Sequence, residues 1–491
     1  MTFLAVVVFL YFLLLLHYLW THNSDFGDKF KKPLKLHNNA KQRDNYVAIL
    51  LQPSPVDTKR QLTRLETIDK GWSTWTKQSD KTIQVYASSW LTNNESSTFN
   101  NIDIVRLSTT LSPIDNMLEF FVSLLLSPSI PQYKWYVYGN DHTLFVPSNL
   151  ICYLDQLDHN SISYCGNKLQ RGKYQNVNLQ FASGGAGVII SHTSMKLLLF
   201  AWTLSRNKYL KPHITRLLSR ADDCPSPAVA RFIDGEPVNI YETSDGSQFL
   251  CAIKAVIDHS SSAPLSPDHA SNVQTLQVVI SPRISLIVSK DIVDDVETTK
   301  VEMYDKEKKQ LIQLQDKMLQ SCNDYSEWAV INPGIVAAYC LQHVLHATFI
   351  DSKATDNSER LNVYGVVRSL VNEFDDWYIE AKLGLSPGYI ERSKRNPEGP
   401  LQAVPNSVAF FPSKEVISFH YVSQHESNLM HQILSKRIAL KSPEHLLSLW
   451  PSTDADVGHY SRKIKNINEA KLIFEYITSV VHHLHNCSIV K

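Results

Sequence analysis

Apolar residues in the first third of the chain follow two alternating patterns. Four short runs have the length and composition of buried β-strands: Tyr46–Leu51, Lys81–Tyr86, Ile102–Leu107 and Lys134–Tyr138. Between them, Lys59–Lys70 and Ile114–Leu126 repeat apolar positions at the period of a helix. Strands that alternate with helices predict an α/β domain with a mostly parallel central sheet. Such sheets bind ligands beyond the carboxyl ends of their strands, so we expect a site just after Tyr138.

The pattern changes at about residue 270. Gln274–Val288 is apolar and β-branched, whereas Asp291–Gln320 predicts a charged helix and Ala329–Phe349 an apolar one. Polar loops are expected at Asp351–Glu359 and Pro387–Pro405, and terminal helices after residue 440. We therefore predict a first domain over residues 45–270. Residues 271–491 form a mixed C-terminal extension or insertion together with the end of that domain.

The N-terminal segment Phe3–Trp20 is apolar apart from one histidine and its tyrosines. It predicts a transmembrane helix over residues 1–20, followed by a polar stem over residues 21–44. The alternative is a cleaved signal peptide. The apolar run is longer than a usual signal core and no small-x-small cleavage site follows it, which favours the anchor.

The orientation of this segment stays open on physical grounds. Lysines from Lys29 to Lys35 follow the apolar run, and the positive-inside rule would place the body of the chain in the cytoplasm. Two Asn-x-Ser sequons, at Asn94 and Asn486, are compatible with a lumenal body.

Charge and cysteine content argue against a nucleic-acid-binding protein and against a structural zinc protein. Lysine plus arginine and aspartate plus glutamate each total 48, so the chain lacks the basic excess of a nucleic-acid binder. The seven cysteines include no Cys-x-x-Cys pair, so a structural zinc site is not indicated. Cys152–Cys165 and Cys224–Cys251 are candidate local disulfides, with one cysteine necessarily left over.

The polar triplet Asn140-Asp141-His142 follows the last predicted strand, at the expected place for a ligand. A sugar-nucleotide diphosphate needs a divalent cation to neutralise its departing phosphate. Mg²⁺ and Mn²⁺ prefer oxygen ligands, and Mn²⁺ also accepts imidazole, so amide, carboxylate and imidazole could share an ion. By itself the triplet is equally typical of an ordinary turn.

The segment W-Y-V-Y-G-N-D-H-T-L-F-V-P-S-N-L, residues 135–150, resembles a motif of the family 31 glycosyltransferases. That motif reads W-(apolar)3-x-Asp-Asp-Asp-Thr-(apolar)3-x-x-Asn-Leu. Further landmarks agree with the family's order: Arg64…Trp72, Tyr164-Cys165-Gly166, Ala182-Ser183-Gly184-Gly185-Ala186-Gly187 and Asp222-Asp223-Cys224. The resemblance spans about residues 45–270. It points to the fringe-like and core-1 β1,3-galactosyltransferase group, with a degenerate Asp-Asp-Asp motif.

This resemblance implies a GT-A-type nucleotide-sugar domain. The implied enzyme is an inverting glycosyltransferase that moves a hexose or N-acetylhexosamine from a UDP-sugar to a glycan or glycoprotein, forming a β1,3 linkage. It also implies a type II membrane protein of the Golgi or endoplasmic reticulum with a lumenal body. The implied site residues are the base Asp223 with its neighbour Asp222, the donor-binding Arg64, Asp141, Gly184, Gly185 and Ala186, and the Mn²⁺ ligands Asn140, Asp141 and His142.

A further histidine often completes the metal shell in this group. His269 follows Asp223 at a spacing that resembles one branch of the family. His420, in Ser-Phe-His-Tyr-Val, matches a motif of the core-1 enzymes and is favoured on that ground. The triplet departs from the family pattern, because Asn140 and His142 stand where acids are usual. A weakened metal site, a metal-independent transferase and an inactive chaperone or glycan-binding relative are the three open alternatives.

Overall fold

The computed structural model describes most of the chain beyond residue 44. The described residues are 45–52, 58–78, 81–89, 99–106, 113–127, 130–174, 177–204, 224, 229–233, 236–261, 275–293, 296–314, 333–385, 388–391, 410–450 and 462–489.

The strands of this part are numbered in chain order. They are β1 Asn45–Gln52, β2 Thr82–Ser89, β3 Ile102–Arg106, β4 Trp135–Asn140, β5 Leu144–Phe145, β6 Ser163–Gly166, β7 Lys168–Tyr174, β8 Val177–Ala182, β9 Val188–Ser191, β10 Val229–Ile233, β11 Glu236–Glu242, β12 Thr275–Val279, β13 Ile284–Val293, β14 Val296–Asp305, β15 Gln310–Leu314, β16 Thr348–Asp351, β17 Leu361–Asn362 and β18 Ser418–Phe419.

The described helices lie between and after these strands. The α-helices are Thr58–Lys70, Pro113–Leu126, Pro147–Leu154, His192–Leu204, Gly246–Ser261, Pro333–Tyr339, Val366–Leu370, Asp376–Leu383, Gln424–Leu434, Pro443–Leu449 and Ile467–Ile489; Trp72–Gln78 is a 3₁₀-helix and Cys340–Val344 a π-helix.

The central sheet has the order β16-β6-β9-β4-β1-β2-β3 among the described strands. Strand β1 lies between β2 and β4 and runs parallel to both. All of its residues from Tyr46 to Leu51 are buried, as expected for a strand covered on both faces. The four strands and two helices predicted for the first third of the chain are therefore confirmed, within three residues at their ends.

The same sheet also contains strands that run the other way. Strand β9 pairs antiparallel with both β4 and β6, and β16, from far along the chain, pairs parallel with β6 at the edge. Other strands form a six-stranded sheet in the order β10-β11-β12-β13-β14-β15, a three-stranded sheet β17-β18-β5 and the hairpin β7-β8. The described chain is thus a mixed α/β structure with several sheets.

The predicted fold class is therefore wrong as it was formulated. A GT-A domain with one mostly parallel sheet leaves out the other three sheets of the described part. Among the described helices, none combines the length and apolar composition that crossing a bilayer needs. The transmembrane helix predicted over residues 1–20 is not supported, and that segment, like the stem over residues 21–44, lies outside the described residues. No observation tests the predicted boundary near residue 270, which stays a prediction.

The charged helix predicted over Asp291–Gln320 is wrong. Its described residues belong to the antiparallel strands β13, β14 and β15. In β14, Val301 and Met303 are buried whereas Glu302 and Tyr304 between them are half-buried, which is the two-residue alternation of a strand. Lys300 and Glu302 of β14 lie at the positions beside these buried residues, so the charged composition concealed the period.

One of the two candidate disulfides is present. Cys224 and Cys251 are bonded, which confirms that pair. The pair Cys152–Cys165 is wrong: Cys165 is a free thiol on strand β6, fully buried within the central sheet, and burial raises its pKa to about 12. Cys152 and Cys340 each also take part in a disulfide.

Candidate functional site

The triplet lies where β4 ends. Strand β4 is buried from Trp135 to Gly139, and Asn140 at its carboxyl end is half-buried. A tight turn follows, in which the backbone N–H of Thr143 donates to the carbonyl of Asn140 at 3.1 Å. The backbone N–H of Asn140 donates back to Oγ1 of Thr143 at 3.3 Å. Strand β5 then resumes, so the triplet lies at the carboxyl edge of the parallel strands, as the sequence predicts.

Asp141 is buried and held by a cation from the first helix. Its side chain has no exposed surface, and Arg64 on Thr58–Lys70 is only 5% exposed. Nη1 of Arg64 donates to Oδ1 and Oδ2 of Asp141 at 3.4 and 3.5 Å. Nδ1 of His142 lies 3.0 Å from Oδ1 of the same carboxylate. The one carboxylate of the triplet thus contacts a guanidinium and an imidazole of the protein.

The glycine turn between β8 and β9 lies directly against this turn. Oγ1 of Thr143 donates to the carbonyl oxygen of Gly185 at 2.8 Å. A Cβ atom at Gly185 would lie 2.0 Å from Cε1 of His420, so only glycine permits the backbone to approach this ring. Gly187 has a φ of +114°, in a region that other residues rarely adopt. The turn therefore contacts both Thr143, the residue after the triplet, and His420.

His420 reaches the triplet from the far end of the sequence. It follows β18, where Oγ of Ser418 donates to the carbonyl oxygen of Ala186. Nδ2 of Asn140 donates to Nε2 of His420 at 3.3 Å across a separation of 280 residues. The ring of His420 stacks on that of His142 with centroids 4.6 Å apart and planes 23° apart.

The electrostatics of His420 follow from its burial. Burial lowers its pKa well below the ordinary value, and the neighbouring His142 lowers that pKa further. The imidazole is therefore neutral at neutral pH, and it accepts the hydrogen bond of Asn140.

Three residues that sequence reasoning did not assign also build the site. The ring of Tyr421 lies 3.8 Å from that of His420 and 5.2 Å from that of His142. The carbonyl oxygen of Asn362 accepts from the backbone N–H of His420 at 2.9 Å. Thr143 joins the triplet to the glycine turn. Tyr421 lies in the same Ser-Phe-His-Tyr-Val motif as His420, which was the available signal, whereas nothing local marks Asn362.

A narrow cleft opens beside the triplet. Its wall comes from the first helix, from the turn after β4 and from the start of the helix Gln424–Leu434, and the lining residues are Arg64, Thr67, Ile68, Asp141, His142, Thr143, Leu144, Val422, Ser423, Gln424 and Ser427. Arg64 and Asp141 form its charged part. Gly184 and Ala186 lie in the glycine turn, on either side of Gly185.

The donors of the triplet, as placed, do not fit a divalent cation. In the described part of the chain, no three His, Cys, Asp or Glu side chains are grouped so that they could hold a metal ion. Asp141 faces Arg64, and Asn140 donates its amide to His420. The remaining predicted residues, Asp222, Asp223 and His269, lie outside the described residues. The Mn²⁺ site and the catalytic base therefore stay predictions.

Part of the chain matches the model of a known protein family. Residues 58–233 match the family model described as Fringe-like. No curated protein matches the chain at a significant level. The matched region contains Arg64, the triplet and the glycine turn, whereas His420 lies beyond it. The resemblance predicted from the sequence is thus confirmed for this region: residues 58–233 are similar to the Fringe-like family, whose members are generally glycosyltransferases.

Proposed function

We propose that the chain transfers a hexose or N-acetylhexosamine from a UDP-sugar to a hydroxyl group of a glycan or glycoprotein, with inversion and formation of a β1,3 linkage. The observation that carries this proposal is that three separate segments of the chain meet at one site. The triplet, the glycine turn and His420 come from separate parts of the chain, and they meet at the carboxyl edge of the parallel strands. Open α/β sheets bind nucleotides at this edge.

The proposed reaction is a direct displacement at the anomeric carbon. The acceptor oxygen attacks, the bond from that carbon to the UDP oxygen breaks, and UDP leaves with the bonding electron pair. Asp223 takes the proton of the acceptor hydroxyl, because an inverting transferase needs a carboxylate there. The glycine turn lets the backbone approach the donor sugar or its diphosphate.

The disulfides support a place in the secretory pathway. Cys224–Cys251 is formed, and Cys152 and Cys340 each take part in a disulfide as well. Disulfides persist in oxidising compartments such as the lumen of the endoplasmic reticulum. The proposed location is therefore the lumen of the Golgi or the endoplasmic reticulum. Expression in a secretory host tests it, since an endoglycosidase-sensitive shift that Asn94→Gln and Asn486→Gln abolish is expected.

Transfer from a panel of UDP-sugars tests the enzymatic claim. UDP release is measured with and without acceptor glycans for the wild-type chain, Asp223→Asn and the matched control Asp222→Asn. Asp223→Asn should lower turnover by about 100-fold or more, because general base catalysis contributes on that order. Asp222→Asn should leave most of the turnover. Absence of both turnover and UDP binding in the wild-type chain would rule out the transferase.

The second candidate is a binding protein or chaperone built on the same fold. The engagement of Asp141 by Arg64 favours it, because the triplet then has no carboxylate left for a metal-bound donor. This reading predicts binding of a glycan or glycoprotein without UDP release. Equilibrium binding of acceptor glycans, measured beside the transfer assay, separates the two functions.

A further inference from the structure

The Arg64–Asp141 pair provides, within the chain, the positive charge that a related site would obtain from a metal ion. We propose that this site binds its nucleotide without a divalent cation, with the guanidinium of Arg64 as the permanent cation of the cleft. The inference deepens the proposed function, and its nucleotide part rests on that function. Its metal part concerns the triplet, Arg64 and His420, and does not depend on the nucleotide.

The charge balance of the site is the first argument. The triplet carries one carboxylate, and Arg64 lies 3.4 Å from it with both side chains buried. The pair is therefore neutral as a unit. A divalent cation that bound Asp141 would lie close to a guanidinium in a poorly solvated site, where like charges repel more strongly than in water.

The stacked histidines are the second argument. A metal ion binds imidazole in the plane of the ring, at about 2 Å from the nitrogen. The rings of His142 and His420 are stacked face to face, with centroids 4.6 Å apart and planes only 23° apart. Their in-plane nitrogen lone pairs thus lie in two separate, nearly parallel layers. One ion cannot meet both rings until the stack opens.

The hydrogen bonds of the triplet are the third argument. Asn140 directs its NH₂ group to Nε2 of His420 and so presents a donor, which repels a cation. His142 directs Nδ1 to the carboxylate of Asp141. Binding of a metal would break these contacts and displace Arg64, a guanidinium that is 5% exposed. Arginine also suits a diphosphate, because its planar fork matches phosphate oxygens.

The metal part is tested by thermal melting of the full chain after treatment with EDTA. Wild type, Arg64→Met and the charge-conserving control Arg64→Lys are melted with and without 1 mM MnCl₂, a concentration of about that order being enough to saturate a weak site. The wild-type and Arg64→Lys melting temperatures should not change. The melting temperature of Arg64→Met should rise by about 1–2 °C, because Asp141 then lacks its cation.

A rise of the wild-type melting temperature by about 1 °C or more with MnCl₂ overturns the inference. The wild-type melting temperatures alone are enough for this test, so it remains valid even if Arg64→Met does not fold.

The nucleotide part is tested by calorimetric binding of UDP in EDTA and in MnCl₂. The two dissociation constants should agree within about threefold, and Arg64→Met should bind at least about tenfold more weakly, as expected for loss of a charged phosphate contact. UDP binding that requires MnCl₂ overturns the inference and leaves the transferase intact. Absence of UDP binding under both conditions overturns the nucleotide part together with the UDP-sugar function, whereas the melting experiment still judges the metal part.

Discussion

The Lys382–Glu359 pair in the interior and the Arg64–Asp141 pair beside the cleft are both buried, but they are held differently. Nζ of Lys382 lies 2.7 Å from Oε1 of Glu359, and Asn167 bridges the two, accepting from Lys382 at 3.0 Å and donating to Oε2 of Glu359 at 3.1 Å. The Arg64–Asp141 contacts are longer, at 3.4 and 3.5 Å, and both residues line a cleft.

The difference separates structural support from a binding site. Burial raises the pKa of Glu359 and lowers that of Lys382, which shows how strongly this environment opposes charge. Such a pair persists only with nearly ideal partners, and it has no surface left for a ligand. The looser pair next to the cleft can exchange a contact with a ligand at a smaller penalty. Interior pairing should therefore govern folding, and cleft pairing should govern binding.

The largest expected effect is the loss of the interior pair. Lys382→Met leaves the carboxylate of Glu359 buried without its main cation, and the free energy of unfolding should fall by about 3–5 kcal/mol. Urea denaturation measures the change. Lys70→Met, which breaks an exposed pair with Glu66, is the matched control and should change stability by about 0.5 kcal/mol or less. Equal losses of stability in the two variants would contradict the structural role of the interior pair.

Substitution of Gly185 should have the next largest effect. In Gly185→Ala the new Cβ meets the His420 ring and forces it away from the turn, at about 1–3 kcal/mol of unfolding free energy. In the His420→Ala background the same substitution should cost much less, because the ring that it meets is gone. A double-mutant cycle from chemical denaturation measures this coupling. Additive effects would show that the ring does not rest on the glycine turn.

Arg64→Met should lower stability less than Lys382→Met, by about 2 kcal/mol, because Asp141 keeps its contact with His142 and faces the cleft. The double variant Arg64→Met/Asp141→Asn should recover about 1 kcal/mol, since no buried charge is left unpaired. Binding of UDP should not recover in the double variant. Recovery of binding together with stability would show that Arg64 acts only through folding.

The smallest expected effect comes from a third buried cation. Lys196 donates to the carbonyl and hydroxyl oxygens of Thr243, and burial lowers its pKa to about 7. Above pH 7 the unfolded chain, with a lysine pKa of about 10.4, binds more protons than the folded one, so stability rises with pH. Between pH 7 and 8 the free energy of unfolding of the wild-type chain should rise by about 1 kcal/mol more than that of Lys196→Met. Parallel pH profiles for the two proteins would contradict the lowered pKa.

The sequence by itself determined the local elements and the position of the triplet. The continuous apolar run of β1 and the polar residues that follow β4 are local properties of the sequence. Each of these segments can therefore be recognised without knowledge of its neighbours in space. Parallel strands end at one edge, so Asn140, Asp141 and His142 could be placed at a ligand-binding edge in advance. Local composition also gave one wrong element, because the charged stretch that forms β13–β15 was predicted to be a helix.

Only the tertiary structure decided which distant segments meet at that edge. Strands pair through hydrogen bonds between segments that are far apart in the sequence. No local pattern indicates which two segments will pair. The three-stranded sheet β17-β18-β5 brings Ser418 onto the glycine turn and His420 onto Asn140 across 280 residues. The pairing of Asp141 with Arg64 was equally invisible, because a motif shows which side chains are present but not which of them satisfy one another once buried.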